Sequence, residues 1–262
     1  MTPPPFGWTS GEIHPETVVA AALLGGAYLG ARLVRGDGAG GRGTACFFGG
    51  LAWLLVALNG PLHDLSDYYL FSAHMVQHLI LTLVVPPLLL AGTPSWMADA
   101  LLGRVLAVAG LGWGVRTAVR PLPALGAWTA ALVGWHLPGP YNTALEVHAW
   151  HVVEHLLLLA TAGLAWWPML SPSRRLPSLH YGAQLLYVFA FGVPMTVVAA
   201  MITGAERVLY PFYAQAPRLF DLAPLADQRL GGVIMWVPAG LIPLAAFTIV
   251  FFRWVAAEAE VS

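Results

Sequence analysis

The stretch YLFSAHMVQHLILTLVVPPLLLA (69–91) decides the fold. It contains no Asp, Glu, Lys or Arg, and a helix of roughly 20 apolar residues is what a bilayer's hydrocarbon core requires. Two histidines, His74 and His78, sit one helical turn apart near its start. Working outward, six more apolar runs are set off by Gly, Pro and Arg, at roughly 17–35, 44–60, 121–137, 147–170, 181–203 and 229–255. The apolar segment 96–118 is interrupted by Arg104, Arg116 and several glycines, and is expected to lie along the interface. The predicted fold is all-α: a polytopic transmembrane bundle of about seven helices, a single transmembrane domain over 1–262.

Composition agrees. Of 262 residues, 58% are hydrophobic and 10% charged, and the mean hydropathy is +0.70. Soluble domains carry roughly 25% charged residues, so the lipid bilayer is the expected solvent. A net charge of −1 argues against a nucleic-acid partner. Cys46 is the sole cysteine, which excludes a disulfide framework and a thiolate cage. No basic region precedes the first apolar run, so 17–34 reads as a retained span rather than a signal peptide.

Arginines set the expected orientation. With the N-terminus outside, Arg32, Arg35, Arg42, Arg104, Arg116, Arg120, Arg174, Arg175 and Arg253 fall inside, and only Arg207, Arg218 and Arg229 fall outside. Basic residues favour the cytoplasmic side, so the N-terminus is predicted outside and the C-terminus inside. Eight of nine histidines then gather toward the outer face, all except His180.

On a helix, His74 and His78 project within about 40° of each other, and His148, His151 and His155 share a stripe about 60° wide. Imidazole is the commonest metal ligand and suits Cu, Zn and Fe. A single intramembrane histidine is often a hydrogen-bonded bundle residue; two stripes at one depth point instead to a shared metal. The expected ligands are His74, His78, His151 and His155, with His63 and His148 likelier additions than His136. Asp64, Asp67 and Glu154 lie beside the cluster and could orient an imidazole N–H. Asp227 and Gln228 open the last helix, with Met235 about two turns on, and these three are further candidates to orient and support the imidazole ligands. Met195, Met201 and Met235 offer thioethers that suit Cu(I), although methionine in a membrane helix is more often packing. Tryptophans, among them Trp128 and Trp166, read as an interfacial belt. Pro86, Pro87, Pro194 and Pro243 can kink their helices.

Four stretches together resemble the CtaG family of cytochrome c oxidase assembly factors. They are Phe71–Leu79 running on to Pro86-Pro87 and Gly92-Thr93-Pro94; Pro61-Leu62-His63-Asp64; His151-Val152-Val153-Glu154-His155 followed by Trp166-Trp167-Pro168; and Asp227–Gly232 through Met235-Trp236. The resemblance covers roughly 45–255. It implies a bacterial plasma (inner) membrane protein that helps mature a haem–copper oxidase and supplies it with a copper ion. The implied partners are oxidase subunits, with an extracytoplasmic copper donor.

Rival functions come from other classes. His151-Val-Val-Glu154-His155 fits H-x-x-E-H, so an intramembrane zinc hydrolase with Glu154 as base is one alternative. A copper transporter would need polar residues through the full depth, and the inner half offers little beyond His180 and Cys46. A haem carrier would need histidines on separate helices rather than close i, i+4 pairs. No catalytic residues and no bond-making chemistry are predicted.

Overall fold

A computed structural model describes residues 6–9, 11–38 and 40–259. It is helical throughout its ordered elements. The helices are α1 (Pro15–Arg35), α2 (Arg42–Leu58), α3 (Gly60–Tyr68), α4 (Phe71–Leu79), α5 (Val85–Gly92), α6 (Ser95–Ala107), α7 (Ala109–Ala118), α8 (Pro121–His136), α9 (Pro138–Glu146), α10 (His148–Leu170), α11 (Tyr181–Thr203), α12 (Pro211–Gln215) and α13 (Pro224–Ala259). A π-helical turn, Ile80–Val84, joins α4 to α5 into one span. Proline opens α1, α8, α9, α12 and α13, where its missing N–H costs nothing and its fixed φ suits a helix.

All seven expected spans are helical. Five are long and apolar enough to cross a bilayer, namely Pro15–Arg35, Phe71–Gly92, His148–Leu170, Tyr181–Thr203 and Pro224–Ala259. The pair α2 and α3, bent by 43°, makes a sixth if it is one span. At 16 residues α8 is short for a full crossing: its rise is about 24 Å, and Pro138 ends it. By length and composition, five to six candidate spans are found among the described residues. The segment expected along the interface splits at Val108 into α6 and α7, neither of which is long enough to cross.

The π turn has a cause in the sequence. Pro86 and Pro87 have no N–H to offer the carbonyls of Thr82 and Leu83 one turn back, and the ring crowds that turn. The freed Thr82 carbonyl accepts instead from the Trp166 indole N–H at 2.9 Å, which ties the irregular turn to α10. The Thr82 hydroxyl in turn donates to the His78 carbonyl at 2.6 Å. The π turn therefore begins two residues after His78 and is held by Trp166.

The solvent-facing pattern of a soluble protein is inverted. Leu122, Leu186 and Phe189 are 75–79% exposed, while His74, Gln77, Glu154 and Asp227 are fully buried. Water would not tolerate the first group and an apolar core would not tolerate the second unpartnered. The chain is a membrane protein. Trp128 and Trp166 depart from the belt reading: both are buried in the bundle core, where each packs on Phe191.

Helix α13 approaches its neighbours closely because of two adjacent glycines. A Cβ at Gly231 would strike the Phe71 ring at 2.4 Å, and one at Gly232 would strike the Thr203 hydroxyl at 2.3 Å. Gly231 thereby seats α13 on α4, and Gly232 seats it on α11.

The two ends of the bundle differ. At one end, Arg35 lies over the Trp96 ring at 4.7 Å and the Trp96 N–H donates to Asp37 at 2.6 Å. Asp99 accepts from the Ser173 hydroxyl and the Arg175 N–H there, and the first of these bonds holds the Asp99 carboxyl below its ordinary range. All the histidines but His180 gather at the other end, where α4 and α10 begin and α8 finishes.

Candidate metal centre

Phe71 and Ser72 start α4 with backbone N–H groups that the helix itself cannot satisfy. Asp227, from the first turn of α13, accepts from both, at 2.7 and 3.1 Å. The side chain expected to orient an imidazole instead caps the helix that carries His74 and His78. Gln228 beside it accepts from the Leu209 N–H at 2.6 Å and donates to the Arg207 carbonyl at 3.2 Å. It fixes the loop that leads into α12, and among the described residues neither side chain is hydrogen-bonded to a histidine.

Four imidazoles from α4 and α10 meet. Ring centroids are 4.2 Å apart for His74–His78 and 4.2 Å for His151–His155. Across the helices they are 5.3 Å for His74–His151, 5.9 Å for His74–His155 and 5.4 Å for His78–His155. Ligand atoms of His74, His151 and His155 all lie within 4.8 Å of one another, as do those of His74, His78 and Glu154. Glu154 is buried with neither carboxylate oxygen hydrogen-bonded, and its Oε1 is 3.7 Å from His78 Nε2. That places Glu154 against the cluster as a further oxygen donor.

Hydrogen bonding fixes which nitrogen of His74 faces inward. The Tyr213 hydroxyl, on α12, donates its one proton to the Ser66 carbonyl and lies 2.8 Å from His74 Nδ1. Having given its proton away, it accepts from His74 Nδ1–H. Burial, with the charge of Asp67 behind it, pushes the Tyr213 hydroxyl well above the ordinary phenol range, so the proton stays in place. A neutral His74 protonated at Nδ1 presents a bare Nε2 lone pair, and that atom is 2.7 Å from His78 Nε2.

Asp67, on α3, performs the same service for α10. One carboxylate oxygen lies 3.3 Å from His151 Nδ1 and the other 3.4 Å from His63 Nδ1. His151 Nε2 and His155 Nε2 are buried without partners. Support on one ring nitrogen with a free lone pair on the other is the pattern of metal-binding histidines. Asp64 does not take part: it accepts from the Glu12 N–H at 3.1 Å and so fastens the N-terminal segment to α3.

The other expected ligands separate. His63 is buried beside the cluster, its Nδ1 3.1 Å from the Gln77 amide nitrogen and its ring centroid 6.3 Å from that of His151. His148 is exposed at the rim, stacked 6.3 Å from His14; its place on the first turn of α10 carries it past the four rings. His14 itself lies edge-on to His63 at 4.5 Å. His136 lies 5.8 Å from His78 on the opposite, deeper side. The histidines thus form a file running from the rim at His148 and His14, through His63 and the four central rings, to His136. Met235 is buried near His78 and His136, lining the same small cavity.

The sequence did not single out Tyr213 or Gln77, and His14 read from it as a plain interface residue. Gln77 carried a signal, since it lies between two histidines in an apolar run. Tyr213 lies 139 residues from His74 and nothing near it in the chain marks it.

Fold and site together define a multi-helix membrane protein with a buried, internally supported histidine cluster at one end. The chain belongs to a family described as the cytochrome c oxidase caa3 assembly factor, which it matches over residues 26–257. The match begins before the roughly 45–255 expected from motifs alone. Two uncharacterized proteins, one of Mycobacterium bovis and one of Mycobacterium tuberculosis, are each 26% identical to it over 240 residues. That alignment covers 81% of this chain and 35% of each relative, so this chain spans about a third of their length. No solved structure matches it.

Proposed function

We propose that this protein holds copper in its histidine cluster and delivers it during assembly of a haem–copper oxidase in a bacterial plasma membrane. The observation that carries the reading is that His151 Nε2 and His155 Nε2 are buried without a partner, with His151 Nδ1 held by Asp67, beside a His74 whose Nδ1 is held by Tyr213 so that its Nε2 faces the cluster. Burying such groups without a partner is costly, and a metal ion would satisfy them together. His74, His78, His151 and His155 would hold it, with Glu154 supplying an oxygen, and the ion itself is the cargo. Imidazoles without thiolates bind copper firmly enough to capture it and weakly enough to release it. The file of His148, His14 and His63 supplies a way in from the rim. Family membership supports an assembly role without bond-making chemistry.

The histidine end is proposed to face the extracytoplasmic side, because the arginines collect at the opposite end. Single cysteines placed near Asn142 should react with impermeant reagent from outside, and those near Arg174 only from inside. The reverse pattern would overturn the orientation.

In a strain lacking this chain, oxidase polypeptides should be made but poorly active, and added copper should partly restore activity. A His74→Ala/His78→Ala variant, confirmed in the membrane, should fail to restore activity at low copper. Full restoration by that variant would replace copper delivery with a scaffold that stabilises an oxidase subunit.

A further inference from the structure

A second cluster of donors lies one layer deeper than the four histidines. A small cavity there is lined by His78, Thr82, Trp128, His136, Met195 and Met235, with Leu79, Leu132 and Leu158 around them. His136 is the last residue of α8, and its Nδ1 lies 2.7 Å from the Leu132 carbonyl. A carbonyl only accepts, so Nδ1 carries the proton and Nε2 of the neutral ring is a bare lone pair. That Nε2 is buried without a partner, as is His78 Nδ1. Met195 and Met235, from α11 and α13, are 5% and 2% exposed. No carboxylate and no thiol lines this cavity.

We propose that this cavity is a separate Cu(I) site, with His136 Nε2 and the thioethers of Met195 and Met235 as ligands and His78 beside them. Thioether sulfur is a soft donor that selects Cu(I) over harder ions. The electrostatics favour the same ion. The cost of placing an ion in an apolar cavity rises with the square of its charge. Neutral ligands therefore suit a monovalent ion here. His78 faces both groups, with Nε2 toward His74 and its ring 5.8 Å from His136. It is placed to pass Cu(I) between them with no change of oxidation state. The inference rests on the copper-holding reading of the protein and adds a site and a selectivity to it.

The test uses full-length protein in detergent, loaded with Cu(I) under anaerobic conditions against a competing Cu(I) chelator. Copper per chain is measured and the ligands are read by X-ray absorption. Wild type should show sulfur scatterers bound to copper. Met195→Leu/Met235→Leu, which conserves volume, should lose the sulfur signal and about half of the copper. His74→Ala/His155→Ala should keep the sulfur signal while losing the copper of the upper cluster. Copper bound by wild type with nitrogen and oxygen neighbours only would overturn the deeper site and leave the upper cluster standing. The cavity would then be assigned to a water bridging Trp128 Nε1–H and His136 Nε2. Sulfur-bound copper at unchanged stoichiometry in the His74→Ala/His155→Ala variant would have the opposite meaning, placing all the copper at the deeper site.

Discussion

Replacing either His74 or His155 with alanine should cut the copper held by the four-histidine cluster by about tenfold or more, and replacing both should remove little beyond that, leaving only the sulfur-bound copper of the deeper cavity. The two residues come from different helices, α4 and α10, and their rings are 5.9 Å apart. If one ion is shared, losing either ligand dismantles the same coordination sphere, so the two losses do not add. Copper per chain after desalting, measured on membrane-extracted protein, reads the effect. Losses that multiply fully in the double variant would mean two independent sites. Unchanged retention in both single variants would remove this cluster from copper binding altogether. Glu154→Gln is a useful companion, because it keeps size while replacing the carboxylate that lies 3.7 Å from His78 with a neutral amide.

Tyr213→Phe should weaken copper binding by about 10- to 100-fold without touching a ligand. The ring packs on Phe71 and lies near Tyr141, and phenylalanine preserves that packing. Only the hydroxyl is lost, and with it the acceptor for His74 Nδ1–H. His74 is then free to carry its proton on Nε2, where the metal must bind, and part of the binding energy goes to moving it back. Competition titration against a chelator gives the affinity. The midpoint of thermal unfolding without metal should stay within a few degrees of wild type, which separates positioning from stability. An affinity equal to wild type would show that Tyr213 does not set the tautomer of His74.

The same region shows how far a chain can be read from its own pattern. The paired prolines after His78 announced a break in the fourth helix, and the break is a π turn. The pattern did not announce that Trp166 would take up the carbonyl that Pro86 leaves free. Asp227 and Gln228 stood out as polar residues opening an apolar helix. Their tasks, capping α4 and fixing the loop before α12, depend on where α13 docks. His148 shared a helical stripe with His151 and His155, yet lies at the rim because it occupies the first turn of α10. A stripe gives direction around the helix axis; it does not say how deep along that axis the neighbouring helix reaches. The N-terminal segment had no motif, and it nevertheless brings His14 against His63 through the hold of Asn59 and Asp64 on its backbone.

By itself the sequence determined that this chain is an all-helical membrane protein, because hydropathy and helical period are local properties read residue by residue. It also determined that His74 and His78 share one helix face and His151 and His155 another, for the same reason. Only the tertiary structure decided that these faces meet, that Tyr213 and Asp67 rather than Asp64 support them, and that His136 closes a cavity with two methionines. Those partners lie on different helices, up to 147 residues apart for Tyr213 and Ser66. A hydrogen bond across such a distance depends on how whole helices pack, and packing is set by shape complementarity over many side chains, such as Gly231 against Phe71, rather than by any short pattern.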